Sequence, residues 1–580
     1  MTDNLIVRRD RDFLLKDWLR IDSQLDRETL DAFLDLSEDL AINQFLTHYK
    51  QSDREEPSLG PDGVHVCPPI GQALRKYAEL GFFAAGFPEE FGGTGLPFLA
   101  CAASYVYFVA ANAATSAYSM LTIANARLIT AFGNQAQIKH FALPQIEGRW
   151  FGTMCLSEPQ AGSSLADIRT RAVPDEEDEL GRRFRLFGNK MWISGGDQDI
   201  SENIIHLVLA KIPDAEGRLP EGTSGISLFI VPKILPDGTR NDISVAGLNH
   251  KMGYRGTSNC LLNFGESDGA IGWLVGHPGQ GLSQMFQMMN EARISVGLGA
   301  AALGYRSYRL SVQYASQRSQ GRSIGDRGGL PVPIIEHPDV KRMLLAQKCY
   351  AEGALALCLY CARLVDLEKT DANAAALLGL LTPVAKTWSS EYGLEANDIA
   401  IQIHGGYGYT RDFDVEQLWR DNRLNPIHEG TTGIQAIDLL GRKILRDGTA
   451  LPLLQQAVLG CVREAENDEE LKEYSSALSE AWGSLHAATE TLRGCEGARA
   501  FDNATPFLRA FGHVVIAWLW LDQALTARKL AGSPGDAAFL KGKLLACRFF
   551  FEFELPKVDA WLSPVLAKSD VATCTPTVVF

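Results

Sequence analysis

"RFRLFGNKMWISGG", Arg183 to Gly196, is rich in aromatic and β-branched residues and is broken by glycine, the texture of a strand rather than a helix. "NIIHLVLAKI" (203–212), "GISLFIVPKI" (225–234) and "SNCLLNFGE" (258–266) repeat it. Clusters of Gly, Asp and Pro separate these runs, and no helical pattern of about 10–15 residues lies between them. The pattern predicts an antiparallel all-β module over 151–275, set between helical parts.

Both flanks read as helix. "DRETLDAFLDLSEDLAINQFL" carries apolar residues at helical spacing, with Asp26 as a cap. "GQALRKYAELGFFAAGFPEEFGGTG" ends a helix at Gly81 and then turns on Pro and Gly. From Gly281 the period returns: Leu282, Met285, Phe286 and Met289 mark one face, and the helix continues to Arg318. Helices are expected over 338–369 and 383–403 and after Gly433. The last segment has aromatic faces of its own and should pack as a unit. The expected order is an N-terminal helical domain (1–150), a middle β domain (151–275), a helical bundle (276–445) and an additional C-terminal helical domain (446–580).

The chain has 580 residues and a net charge of −15, so no excess of Lys and Arg is present to meet nucleic-acid phosphates. Leu96 to Ala124 contains no charge, but it is rich in Ala and Ser and holds Asn112; it reads as a tightly packed core helix, not a membrane span. The N-terminus carries charge where a signal peptide needs an apolar core. Eleven cysteines show no pairing framework, which suits a reducing cytoplasm. Cys358 and Cys361 form a CxxC within an apolar helical run and read as two core thiols one turn apart. "GLGAAALG", Gly297 to Gly304, follows no strand, so a dinucleotide-binding reading fails on context.

A set of dispersed motifs remains: "MCLSEPQAGSS" from Met154, "GNKMWISGG" from Gly188, "RISVGLG" from Arg293, "YASQRSQGRSIG" from Tyr314, "QIHGGYGYTRDF" from Gln402 and "HEGTTGIQ" from His428. In this order, on a helical–β–helical frame, they resemble the acyl-CoA dehydrogenase family over about residues 60–445. The long C-terminal extension resembles a branch with methylthiopropionyl-CoA and long-chain enzymes. The resemblance implies a mainly α fold with an inserted β-barrel-like domain and a four-helix bundle. It also implies FAD, an acyl-CoA substrate, an electron-transferring flavoprotein as acceptor and a homodimer. Carried over by motif, Met154, Leu156 and Ser157 look like residues along the flavin, and Gly162 and Ser163 like those that close on pyrophosphate and CoA. Trp192 and Ser194 look like the indole over one flavin face and the hydroxyl beside it. Arg318 and Gln320 resemble residues reaching a neighbouring subunit's FAD; Gln402, Gly405 and Gly406 resemble its diphosphate loop, and Thr431 another flavin contact. Asn290, Arg293 and Gly430 resemble substrate contacts. Two positions depart from the family pattern: "RSQGRS" lacks the aromatic before its glycine, and Gly433 stands where many relatives have Gln.

Glu429, in "NPIHEGTTG", has no Lys or Arg nearer in sequence than Arg423. In the family this position supplies the base that removes the substrate α-proton, while its backbone N–H bonds the thioester carbonyl. A base of this kind works best desolvated, with its pKa raised toward neutrality. Glu291 is a rival acid, one residue away from the position some relatives use and turned about 100° around the helix; it reads as structural. An oxygen-using acyl-CoA oxidase and a non-catalytic binding or assembly protein stay open beside the dehydrogenase.

Overall fold

The computed structural model describes residues 5–325, 328–532 and 536–580, apart from the side chains of residues 286–289. The expected helix face at Phe286 and Met289 therefore lies outside the described side chains. The chain forms two compact units, Glu28–Ala292, and Met1–Arg27 together with Arg293–Phe580.

In the unit Glu28–Ala292, β1 (Ser58–Gly60) and β2 (Gly63–His65) form a small hairpin. The main sheet holds β3 (Trp150–Cys155), β4 (Arg171–Asp178), β5 (Gly181–Ser194), β6 (Asn203–Lys211), β7 (Ile226–Pro232), β8 (Ile243–Leu248), β9 (Asn259–Phe264) and β10 (Ala270–Leu274). Its order is β10–β7–β6–β4–β5–β9–β8, and β5 also pairs with β10, so the pairings close on themselves as in a barrel. The antiparallel expectation needs correction, because the sheet is mixed. β3 runs parallel to β6 from Trp150↔Asn203 to Cys155↔Val208, and β4 meets β6 in parallel at Arg171↔Lys211. A parallel pair needs a long crossover; here the β4–β5 hairpin lies in the connection. The signal was in β6 itself, whose nine residues are all buried, as a strand covered on both faces should be.

The charge-free stretch lies in the helix Phe98–Phe132. It is long and apolar enough to cross a membrane, but 83% of its most apolar window is buried inside the fold. Asn112 leaves helical geometry (φ −160°, ψ 96°) and its amide accounts for the break. It donates to Phe45 O at 3.3 Å and Ser52 Oγ at 3.2 Å and accepts from Thr115 N at 3.2 Å. Further along, Asn125 donates to Thr153 O at 2.9 Å and Ile205 O at 2.8 Å, fastening this helix to β3 and β6.

The other unit is helical. The helix Gly281–Gln317, from Arg293 on, packs with Pro338–Leu367 and Ala372–His404, and small residues set how close they come. A Cβ on Gly297 would lie 2.7 Å from Ala385 O and 2.8 Å from Cys358 Sγ; one on Gly304 would lie 3.1 Å from the Gly393 Cα. "GLGAAALG" is thus a helix-packing seam. The helix expected to begin at 383 starts at Ala372, capped by Asp371, and runs through Pro383. Pro383 lacks an N–H and should disfavour helix, but Leu378, Leu380, Leu381 and Val384 are buried around it and outweigh the lost bond. Residues 5–27 belong with this unit: Trp18 Nε1 donates to Asp522 Oδ2 at 2.7 Å, and buried Lys543 bridges Asp10 (2.5 Å) and Glu352 (2.8 Å). The C-terminal part supplies Ala450–Ala465, Lys472–Arg493, Ala504–Lys529, Ala537–Phe549 and Lys557–Leu566.

Gly297→Ala tests the seam. The helix gains up to about 1 kcal/mol in propensity, but overpacking against a backbone carbonyl costs roughly 1–3 kcal/mol. The variant should unfold at lower urea concentration than the parent; an unchanged or higher midpoint contradicts the close approach.

Candidate active site

Glu429 sits in a left-handed backbone conformation, φ 52°, followed by Gly430 at φ 89°. A non-glycine residue held there costs on the order of 1–3 kcal/mol, so its surroundings must impose it. They do so through the two carbonyls. Gln435 Nε2 donates to Glu429 O at 2.9 Å, and Lys386 Nζ donates to Gly430 O at 2.7 Å. Gly430 must be glycine for a second reason: a Cβ there would lie 2.6 Å from Gln435 Nε2. Ahead of the turn, Asn425 donates to Asn422 Oδ1 at 2.8 Å, and Asn422 donates to Asn397 Oδ1 at 2.6 Å and Ala300 O at 3.1 Å. The Glu429 N–H has no acceptor among the described residues.

Sequence distance suggested an acid without a cationic neighbour. The fold supplies two from other helices, Arg293 and Lys386. Solvent reaches Glu429, yet burial pushes its carboxyl above the ordinary value, while Arg293 and then Lys386 pull it down. Solvent access limits the size of that shift without reversing it. Burial lowers the Lys386 amine to about 8, against the pull of Glu429 and Glu391. Burial, then the nearby Lys386 charge, lowers His428 to about 3, so its ring is neutral and bonded to Asn425 Oδ1 at 3.0 Å. Arg293 faces inward: its Nη1 donates to Asp438 at 2.7 Å and to Gln435 Oε1 at 3.2 Å. Arg293 thus orients the amide that holds the Glu429 turn. Thr431 caps the helix Thr432–Ile437 through Ile434 N, at 3.5 Å.

In the other unit, Trp192 also has positive φ, 66°, and its side chain is 58% exposed, which removes it from the core. Its strand is locked to the Leu156–Ser157 segment. Lys190 Nζ, fully buried, donates to Leu156 O at 3.0 Å and pairs with Glu158 at 2.9 Å; Met191 N donates to Ser157 O at 3.0 Å. Glu158 also accepts from Arg169 N (2.7 Å), Thr170 N (3.0 Å) and Thr170 Oγ1 (2.6 Å). Burial would raise the Glu158 carboxyl, but the Lys190 charge and these donors hold it down at about 2. Met154 is half-buried against the sheet core. Ser157 is half-exposed, and Ser194 Oγ accepts from Asn259 at 3.2 Å. Gly162 and Ser163 are exposed, with open space where a Gly162 Cβ would stand. Asn290 is half-buried, and its neighbour Glu291 is engaged with Arg127.

Arg318, Gln320, Gly405 and Gly406 come together as expected, lining a cleft of ≈ 470 Å³ with Tyr314 and His404. Arg318 Nη2 donates to Gln320 Oε1 at 2.6 Å, and no atom lies within 4 Å of where a Cβ on Gly405 or Gly406 would be. Exposed backbone beside a guanidinium suits an anionic diphosphate, and the exposed Trp192 indole suits a flat ring; these residues fit FAD. Gln402 is exposed but does not line the cleft. His404 stacks on Tyr314 at 4.3 Å and bonds Ala400 O through Nδ1 at 2.8 Å, a packing role. Sequence reading missed Lys386, Gln435, Lys190 and Glu158. A lone cation in the apolar "LLTPVAKTWSS" was the available signal for the first.

Lys190→Met leaves Glu158 buried without its cation. Breaking a buried pair from one side typically costs about 3–5 kcal/mol. Thermal unfolding should therefore begin well below the parent, and an unchanged midpoint speaks against the clamp.

Profiles of the acyl-CoA dehydrogenase N-terminal, middle and C-terminal domains match residues 30–149, 153–266 and 279–445, and the "Acetyl-CoA dehydrogenase C-terminal like" profile matches 456–575. The 3-methylmercaptopropionyl-CoA dehydrogenase of Ruegeria pomeroyi is 35% identical over 513 residues, covering 86% of this chain and 85% of that protein. The broad-specificity linear acyl-CoA dehydrogenase FadE5 of Mycobacterium tuberculosis is 33% identical over 589 residues, covering 94% and 95%. A crystal structure of an acyl-CoA dehydrogenase complexed with FAD from Bacillus anthracis shares the fold, with TM-score 0.77 and 22% identity over 95% of this chain and 90% of that one. The chain belongs to the acyl-CoA dehydrogenase family.

Proposed function

We propose that this protein is an FAD-dependent acyl-CoA dehydrogenase in which Glu429 removes the substrate α-proton. The observation that carries this reading is the Glu429 turn: a carboxyl on a strained backbone, with both neighbouring carbonyls held and its own N–H unspent. FAD, when bound, supplies the acceptor for the β-hydride. Glu429 takes the α-proton on its carboxylate. Its N–H is free to donate to the thioester carbonyl, which stabilises the negative charge that develops as the proton leaves. Trp192 and Ser157 would hold the flavin in one unit, while Arg318 and the Gly405–Gly406 backbone bind the diphosphate of a neighbouring subunit's cofactor, in a homodimer. Electrons then pass to an electron-transferring flavoprotein. The eleven cysteines are all free, in keeping with a cytoplasmic location.

Glu429→Gln keeps size and hydrogen bonding but cannot accept a proton. Mixed anaerobically with an acyl-CoA that it binds, the variant should bleach its flavin on the order of 10²–10⁴-fold more slowly than the parent. Bleaching at the parent's rate places the base elsewhere. Running the panel from short and sulfur-containing to long acyl chains gives chain preference, and peroxide formation without added acceptor exposes an oxidase.

Arg318→Ala should weaken FAD retention on the order of tenfold or more, the usual worth of a charge-assisted hydrogen bond. Unchanged affinity, read by flavin fluorescence on dilution, removes Arg318 from the cofactor site.

A further inference from the structure

Lys386 lies midway along the helix Ala372–His404 with 0% of its surface exposed. A buried ammonium is costly unless bonded and paired. Among the described residues Lys386 makes no ion pair, and its hydrogen bond goes to Gly430 O. An ammonium has three donors, so most of its capacity is unspent. An apolar side chain of similar length would fill the space without the desolvation penalty.

The charges facing it show what it does. Arg293 is paired with Asp438 at 2.7 Å. Glu391, on the same helix, is paired with Arg509 at 3.2 Å and accepts from Thr432 Oγ1 at 3.1 Å. His428, on the base loop, is neutral. Of the two anions that act on Lys386, Glu429 acts more strongly than Glu391, and it makes no ion pair among the described residues. The carbonyl contact alone is not the whole role, because Gln435 Nε2 already lies 3.4 Å from Gly430 O as well as bonding Glu429 O.

We propose that Lys386 is a positioning residue for the base: it clamps the Gly430 carbonyl, fixes the left-handed Glu429–Gly430 turn and sets an otherwise unmatched positive charge toward the Glu429 carboxylate. This rests on the assignment of Glu429 above. The sign follows from the two opposing effects on that carboxyl. Burial raises it; the Lys386 charge is one of the interactions that lower it. Removing the charge raises the carboxyl further, so a larger fraction is protonated at any given acidic pH, and the acid limb of the rate profile moves to higher pH.

The test compares Lys386→Met, Lys386→Gln and Lys386→Arg as flavin-loaded proteins, by anaerobic flavin bleaching across pH with a bound acyl-CoA. Lys386→Met should lower the bleaching rate on the order of 10- to 100-fold, the scale of one lost charge-assisted bond, with substrate affinity near the parent's. Its acid limb should move up in pH. Lys386→Arg should restore the parent's limb and part of the rate. If Lys386→Met does not fold, Lys386→Gln carries the same test, since it keeps a donor and loses the charge. An acid limb that stays in place in both neutral variants, whatever the rate, overturns the proposal and leaves Lys386 a packing residue. Glu429→Gln, run alongside, separates the two ideas: undiminished bleaching there sinks the base assignment itself, before any question about Lys386 arises.

Discussion

The Glu429 carboxyl is pulled in opposite directions, and the arrangement of the surrounding unit follows from that tension. A base for a carbon acid gains strength from desolvation, but a carboxylate buried without charge nearby simply takes up a proton and ceases to be a base. Cations counter this, yet a direct ion pair would spend the oxygen lone pairs that the proton needs. The structure supplies the cations at one remove. Arg293 is neutralised by Asp438 and Lys386 is bonded to a carbonyl, so each acts on Glu429 through its field without an ion pair to it.

Backbone strain recurs at the two residues closest to the proposed chemistry. Trp192 and Glu429 both hold φ angles that L residues avoid. In each case the adjacent peptide is fastened by buried polar groups: Lys190, Glu158 and Met191 N on one side, Gln435 and Lys386 on the other. Strain of this kind persists only where the neighbours over-determine it. Buried lysines serve both places because an ammonium reaches a backbone carbonyl from a distant element and brings charge with it.

Local pattern carried the helices, the β texture and the motifs, because those depend on neighbours in sequence. The turn at Glu429–Gly430 was legible in its loop, and Arg318, Gln320, Gly405 and Gly406 were legible as residues that meet. What failed to show was what the third dimension adds. Lys386 is 43 residues from Glu429 along the chain, and Arg293 is 136 away; sequence distance made the acid look isolated when two cations stand near it. The motif that makes Arg293 resemble a substrate contact does not disclose its bonds to Asp438 and Gln435, which lie more than 140 residues on. The parallel β3–β6 pair was missed for the same reason: the runs looked like successive hairpins, and only the continuous burial of β6 told against it.

The C-terminal extension has a physical part in this. The helix that carries Lys386 also packs against helices beyond 446. Trp388, two positions on, donates to His513 Nδ1 at 3.0 Å and would meet a Cβ on Gly512 at 2.9 Å. Arg509, from the same late helix, pairs with Glu391, the second carboxylate that acts on Lys386. That helix, Ala504–Lys529, is apolar enough to pass for a membrane span, yet 83% of its most apolar window is buried against its own unit. The added domain thus packs against the helix that carries Lys386, and Trp388 is a point of contact.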